Sequence, residues 1–86
     1  MKEGLHAVTL TGKAKKALLR FPRSIQQRIG HAIDELAERP RPRGCVKMTK
    51  DTYRIRVGRD YRVIYTIDDK ERVVTVFKVS TREGAY

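Results

Sequence analysis

From Tyr53 to Tyr65 the chain reads Tyr-Arg-Ile-Arg-Val-Gly-Arg-Asp-Tyr-Arg-Val-Ile-Tyr, apolar and polar residues alternating on either side of Gly58-Arg59-Asp60. Alternation of period two is the signature of a half-buried strand. A three-residue loop between two such runs is a common hairpin length. The pattern therefore predicts that Val57 pairs with Tyr61, Ile55 with Val63 and Tyr53 with Tyr65. Tyr53, Ile55, Val57, Tyr61, Val63 and Tyr65 then share one face, and Arg54, Arg56, Arg62 and Ile64 share the other.

The rest of the chain supplies the cover for the apolar face. Leu5 to Leu10 is short, partly β-branched and bounded by Gly4 and Gly12, so it reads as a strand. Thr11 is placed to cap a helix, along which Leu10, Ala14, Ala17, Leu18 and Phe21 recur at helical spacing. Pro22 cannot extend that helix but fits the first turn of a second. There Ile25, Ile29, Ala32, Ile33 and Leu36 form a cleaner stripe. Two prolines and a glycine in Arg39-Pro-Arg-Pro-Arg-Gly44 end it. Cys45 to Met48 reads as a short edge strand, Asp68 to Glu71 as a polar turn, and Arg72 to Val79 as a strong last strand. The expected fold is α+β, a single domain over residues 1–86. It runs N-terminal strand, αα-hairpin, then an antiparallel meander of three or four strands, with both helices on one face of the sheet. A five-residue loop pairing Ile67 with Val73 is favoured because it buries Phe77 with the aromatic face; Lys78 then stands opposite Arg62.

Charge sharpens this picture. Lys and Arg number 20 against 10 Asp and Glu, a formal charge of +10 on 86 residues. Between Arg39 and Arg62 stand nine cations and two aspartates, so +7 of the +10 is concentrated in one segment. Such a patch favours an anionic partner, nucleic acid first. Cys45, the one cysteine, excludes an intrachain disulfide and a Cys-based zinc site, and suits a reducing cytoplasm. No apolar run is long enough for a membrane span, and the N-terminus lacks a signal-peptide core. His6 and His31 have no Cys or His neighbour, Ser24 and Ser80 have no evident base, and no Gly-rich phosphate loop occurs. Chemistry without a metal or cofactor is the expectation.

Arginines can do phosphate chemistry. Their forks match phosphate oxygens and stay charged at any workable pH. Cleavage of RNA by its own 2′-OH needs charge stabilised on a pentacoordinate phosphorus, which fixed arginines provide. An arginine is a poor general base, however. From spacing alone, gripping a phosphate backbone is favoured over cleaving it.

The hairpin just quoted, together with Asp-Asp-Lys-Glu-Arg-Val-Val-Thr-Val-Phe-Lys-Val79 and the terminal Arg82 and Tyr86, resembles the RelE/ParE toxin superfamily of toxin–antitoxin systems. The likeness extends over nearly the whole chain. For RelE-type members it implies a ribosome-dependent mRNA endonuclease cutting in the A site, leaving a 2′,3′-cyclic phosphate and a 5′-OH. For ParE-type members it implies action on DNA gyrase through the same fold. The RelE-type resemblance implies that Arg54 and Arg56 both steady the phosphate and that one of them helps activate the 2′-OH. Arg62 would stabilise the transition state, Arg82 would serve the leaving 5′-oxygen, and Tyr86 would stack on the mRNA base. Arg43, Lys47, Lys50, Arg59 and Lys78 are the further expected RNA contacts. The resemblance also implies a cognate antitoxin, acidic and partly disordered, besides the ribosome and mRNA. Two departures stand out. Arginines replace the commoner lysines at positions 54 and 56. The terminus, Ser80-Thr-Arg-Glu-Gly-Ala-Tyr86, departs from the commoner Gly-His-Arg-Arg-Asp-Val-Tyr pattern.

Overall fold

The computed structural model describes residues 5–81. Strand β1 (Ala7–Leu10) leads through α1 (Gly12–Leu19) and α2 (Arg23–Glu35) into β2 (Val46–Lys47), β3 (Thr52–Val57), β4 (Tyr61–Asp68) and β5 (Val73–Thr81). The sheet order is β1-β5-β4-β3-β2. β2 to β5 form the expected antiparallel meander, while β1 joins β5 in parallel, with Leu10 beside Val76. The result is an α+β domain with a mixed five-stranded sheet. Among the described residues no helix is long and apolar enough to cross a membrane.

Local chemistry sets the element ends. Thr11 Oγ1 accepts from the Ala14 backbone N–H at 3.1 Å, satisfying a donor that the first turn of α1 leaves free. Pro22 is the N-cap of α2, one residue before the expected first turn, and its carbonyl accepts from Ile25 and Gln26. Ile29, Ile33 and Leu36 are buried from the α2 side against Val63, Tyr65, Val74 and Val76 of the sheet. Both helices therefore cover the Tyr53/Ile55/Val63 face.

The hairpin register is the expected one: Val57 pairs with Tyr61, Ile55 with Val63 and Tyr53 with Tyr65. Gly58 holds φ +63°, and a Cβ built there would lie 2.9 Å from Arg28 Nη2. Arg28 can swing away, but the left-handed backbone would still strain an alanine. Gly58→Ala should cost about 1–2 kcal/mol, read as a lower urea midpoint at unchanged slope.

The β4–β5 register differs from the expectation. Asp68 itself pairs with Val73, leaving a four-residue loop, Asp69 to Arg72. Asp68 Oδ1 accepts from the Glu71 N–H at 3.0 Å, and Arg72 takes φ 58°. These two features close the turn one residue tighter. A bulge follows: Tyr65 pairs with Val76, but Ile64 pairs with Lys78, so Phe77 has no partner across the ladder. The bulge lets Val74, Val76 and Val79 all face the core despite their odd spacing. Phe77, expected in the core, is 37% exposed. Lys78 lies opposite Ile64 rather than Arg62, whose partner is Ser80.

The Arg39–Gly44 segment is pinned across one end of the sheet by Arg41. Its Nε donates to Tyr53 Oη at 3.0 Å, and Nη1 and Nη2 donate to Asp69 Oδ1 and Oδ2 at 3.3 and 2.7 Å. The guanidinium also lies 5.0 Å over the Tyr53 ring. Tyr65 Oη donates to Pro40 O at 2.7 Å, fixing the same segment from below. The Arg41 hydrogen bond, with a smaller contribution from His6, holds the Asp69 carboxyl below the usual aspartate range. A depressed carboxylate stabilises the fold above its unfolded pKa, and that contribution fades as pH falls through the lower folded value. Asp69→Asn should therefore lower the melting temperature modestly above about pH 4. The variant and native curves should converge at lower pH in a melting series.

Candidate functional site

Because the helices cover one face of the sheet, the other face lies open. Cross-strand neighbours on it form rows. Arg56, Arg62 and Ser80 make the row nearest the hairpin turn, and Val46, Arg54, Ile64 and Lys78 the next. Arg54 and Arg62 are half-buried, Arg56 and Lys78 exposed. Among the described residues no carboxylate pairs with Arg54, Arg56 or Arg62. Arg62 Nε is buried and has no hydrogen-bond acceptor. Ser80 beside it is only 3% exposed although it faces this side of the sheet.

The contrast with Arg41 is instructive. That guanidinium is fully partnered, and its bonds to Asp69 and Tyr53 push its pKa still further up. The fold neutralises an arginine that holds structure together and leaves three uncompensated on the open face. Direct opposition of Arg56 and Arg62 is unfavourable by itself, and a buried unsatisfied N–H adds to the cost. An anion with several oxygens relieves both.

Of the predicted site residues, Arg54, Arg56, Arg62 and Lys78 come together. Arg59 sits in the turn at the hairpin tip. Lys47 shares the parity of Tyr53, on the helix side of the edge strand β2. Lys50 lies in the connection from β2 to β3. Arg43 lines a cavity of about 750 Å³ with Glu35, Arg39 and Arg41. These last three stand away from the arginine rows. Arg82 and Tyr86 lie outside the described residues. Among the described residues no cluster of His, Cys, Asp or Glu could hold a metal.

One feature of the open face escaped the sequence reading. Thr52, Thr66, Thr75 and Thr9 are aligned across β3, β4, β5 and β1, directly beyond the Arg54–Ile64–Lys78 row. Thr52 and Thr66 share the arginines' parity and could have been found from the hairpin. Thr75 and Thr9 could not, because their alignment depends on the bulge and on the parallel pairing of β1. Their hydroxyls extend the basic rows with groups able to donate to phosphate or ribose oxygens.

Known proteins share this fold and sequence pattern. The family described as "ParE toxin of type II toxin-antitoxin system, parDE" matches residues 8–86. A Methanocaldococcus jannaschii protein named "Putative toxin RelE1" is 30% identical over 84 residues, 92% of each chain. The archaeal RelE–RelB complex from Pyrococcus horikoshii superposes with TM-score 0.79 at 32% identity, covering 94% of this chain and 99% of that one. The Mycobacterium tuberculosis toxin–antitoxin complex RelBE2 gives TM-score 0.79 at 26% identity, covering 94% and 95%. On sequence and fold together, this chain belongs to the RelE/ParE superfamily of toxins from type II toxin–antitoxin systems.

Proposed function

We propose that the protein is an endoribonuclease that cleaves mRNA in the ribosomal A site and so blocks translation. A cognate acidic antitoxin holds it in check, as the complexes of its structural relatives suggest. The observation that carries the reading is the uncompensated Arg54/Arg56/Arg62 set with the buried, acceptor-free Arg62 Nε. In the proposed reaction the RNA 2′-OH attacks phosphorus and loses its proton. The bond from phosphorus to the 5′-oxygen breaks, and that oxygen gains a proton, leaving a 2′,3′-cyclic phosphate and a 5′-OH. Arg54 and Arg56 hold the phosphate. Arg62, wedged beside Arg56, meets the charge that grows on the phosphorane oxygens, where fixed donors act most strongly. Arg82 and Tyr86 take the roles that the resemblance to RelE-type enzymes implies, toward the leaving oxygen and the base. Among the described residues no side chain near the arginines is suited to act as a base, so the 2′-OH proton passes to water, and alignment of the 2′-OH with the scissile bond falls to the ribosome. Adding the protein to a translating extract and mapping mRNA 5′ ends tests this: new ends should appear within codons at the A site. Intact messages at inhibitory protein concentrations would overturn it.

The ParE description of the matching family favours a second reading, a gyrase poison without nuclease activity. Inhibition of DNA supercoiling by the purified protein, with translation unaffected, would select it. The arginine rows weigh against it, because three adjacent guanidinium forks match the closely spaced oxygens of a phosphate backbone.

A further inference from the structure

Ser80 is a polar residue in a buried place, 3% exposed. It lies on the arginine side of the sheet, directly across the ladder from Arg62. Side chains opposed in this way have Cβ atoms about 4.5–5.5 Å apart. Elsewhere the fold uses its sheltered hydroxyls: Thr11 caps α1, Tyr53 accepts from Arg41, and Tyr65 donates to Pro40 O. The Ser80 hydroxyl has no hydrogen-bond partner among the described residues. The Arg62 Nε–H, also buried, has no acceptor. An unmet donor and an unmet acceptor thus stand on adjacent strands. The other strand residues around Arg62 on this face are Arg54 and Arg56 on β3, Ile64 on β4 and Lys78 on β5. Arginine and lysine side chains have no acceptor and isoleucine has no polar atom, so among these only Ser80 Oγ can take the Nε–H.

We propose that Ser80 is a positioning residue for Arg62: its Oγ accepts the Nε–H once an RNA phosphate engages the two Nη groups. Of the three guanidinium nitrogens only Nε is both buried and unpartnered, so a phosphate arriving from solvent meets the Nη pair. In the free protein the bond to Ser80 is open. A phosphate on the Nη pair relieves the repulsion between Arg62 and Arg56, and rotation of the serine about its one side-chain torsion closes the bond. Holding the third nitrogen fixes the plane of the fork. Both Nη donors are then aimed before charge grows on phosphorus, and donors fixed in advance stabilise that charge most. The proposal rests on the nuclease reading for its substrate, while the pairing itself rests on the register and burial of the two residues. A serine kept for the fold alone would have its buried hydroxyl bonded. Ser80→Ala should therefore leave the urea midpoint at or above native, since it removes a polar atom that the free protein leaves unmet.

The test is a double-mutant cycle on the full chain in a translating extract. S80A should lower kcat for cleavage about tenfold with KM little changed. In R62K, whose side chain has no Nε–H, the same change should cost nothing further. Additive losses in S80A/R62K overturn the proposal, and so does native-rate cleavage by S80A. A second readout needs no cleavage. The Arg62 Nε–H resonance, assigned by its loss in R62K, is followed by NMR as a 2′-O-methyl oligonucleotide, which has no nucleophile, is added. In the native protein the resonance should shift and exchange with water several-fold more slowly; in S80A it should not. No response in the native protein, or the same response in S80A, overturns the pairing. If the response appears as expected while messages stay intact, the pairing stands and the nuclease reading falls. If native protein and S80A cut messages equally well, the nuclease reading stands and the pairing falls.

Discussion

Arg62→Ala should lower mRNA cleavage by about a hundred- to a thousandfold while leaving the protein at least as stable as the native chain. The two halves of this result have one cause. Arg62 stands directly across from Arg56, and its Nε is buried without an acceptor. Alanine relieves a like-charge contact and an unsatisfied donor, a combined gain on the order of 1 kcal/mol that offsets the lost packing of the arginine stem. Under the proposed function, a residue that burdens the fold and faces no internal partner meets an external anion instead. Arg62→Lys separates charge from geometry. It keeps the charge but not the planar fork, so cleavage should fall less than in the alanine variant yet stay well below native. Mapped 5′ ends in a translating extract, paired with urea unfolding, give both readouts. Native-level cleavage by the alanine variant would move the chemistry elsewhere. A large loss of stability would mean that Arg62 is a structural residue after all.

The hairpin carrying this residue was legible from sequence because local alternation and a short loop fix its register within a dozen residues. Helix cover was legible for a similar reason: the Ile25–Leu36 stripe leaves only one apolar face to bury. The β4–β5 register was not. It turned on whether Phe77 belongs in the core, and hydrophobicity alone argued that it does. The spacing of Val74, Val76 and Val79 overrules Phe77, since three valines with no exposure at all outweigh one aromatic left partly in water. That odd spacing was the visible signal of a bulge, which returns Lys78 to the arginine face where an unbroken ladder in the Asp68–Val73 register would turn it to the core. The parallel pairing of β1 with β5 was illegible for another reason. Contacts between residues 10 and 76 leave no local trace in the chain. The threonine row depended on both features and so was hidden with them.

Tyr65→Ala should cost about 3–5 kcal/mol, enough to lower the melting temperature by roughly 15–30 °C in a domain of this size. Tyr65 is fully buried at the middle of β4. Its ring stacks on Tyr53 at 6.1 Å between centroids, and its hydroxyl reaches Pro40 O. Truncation empties the space beneath α2 and loosens the Arg39–Gly44 segment together. Tyr65→Phe separates the two effects. It keeps the packing and removes only the bond to Pro40, so about 1 kcal/mol should be lost. The phenol also carries a pH signature. Burial, reinforced by the nearby Cys45, pushes its pKa well above the ordinary tyrosine value. Its stabilisation is thus fully present below about pH 10 and is lost as pH rises toward the higher folded value. Native protein should weaken along that alkaline limb by an amount absent from Tyr65→Phe. A denaturant series at neutral and alkaline pH on all three proteins checks the claim. Equal stability of Tyr65→Phe and native protein at neutral pH would show that the hydroxyl contributes nothing to holding the Arg39–Gly44 segment over the core.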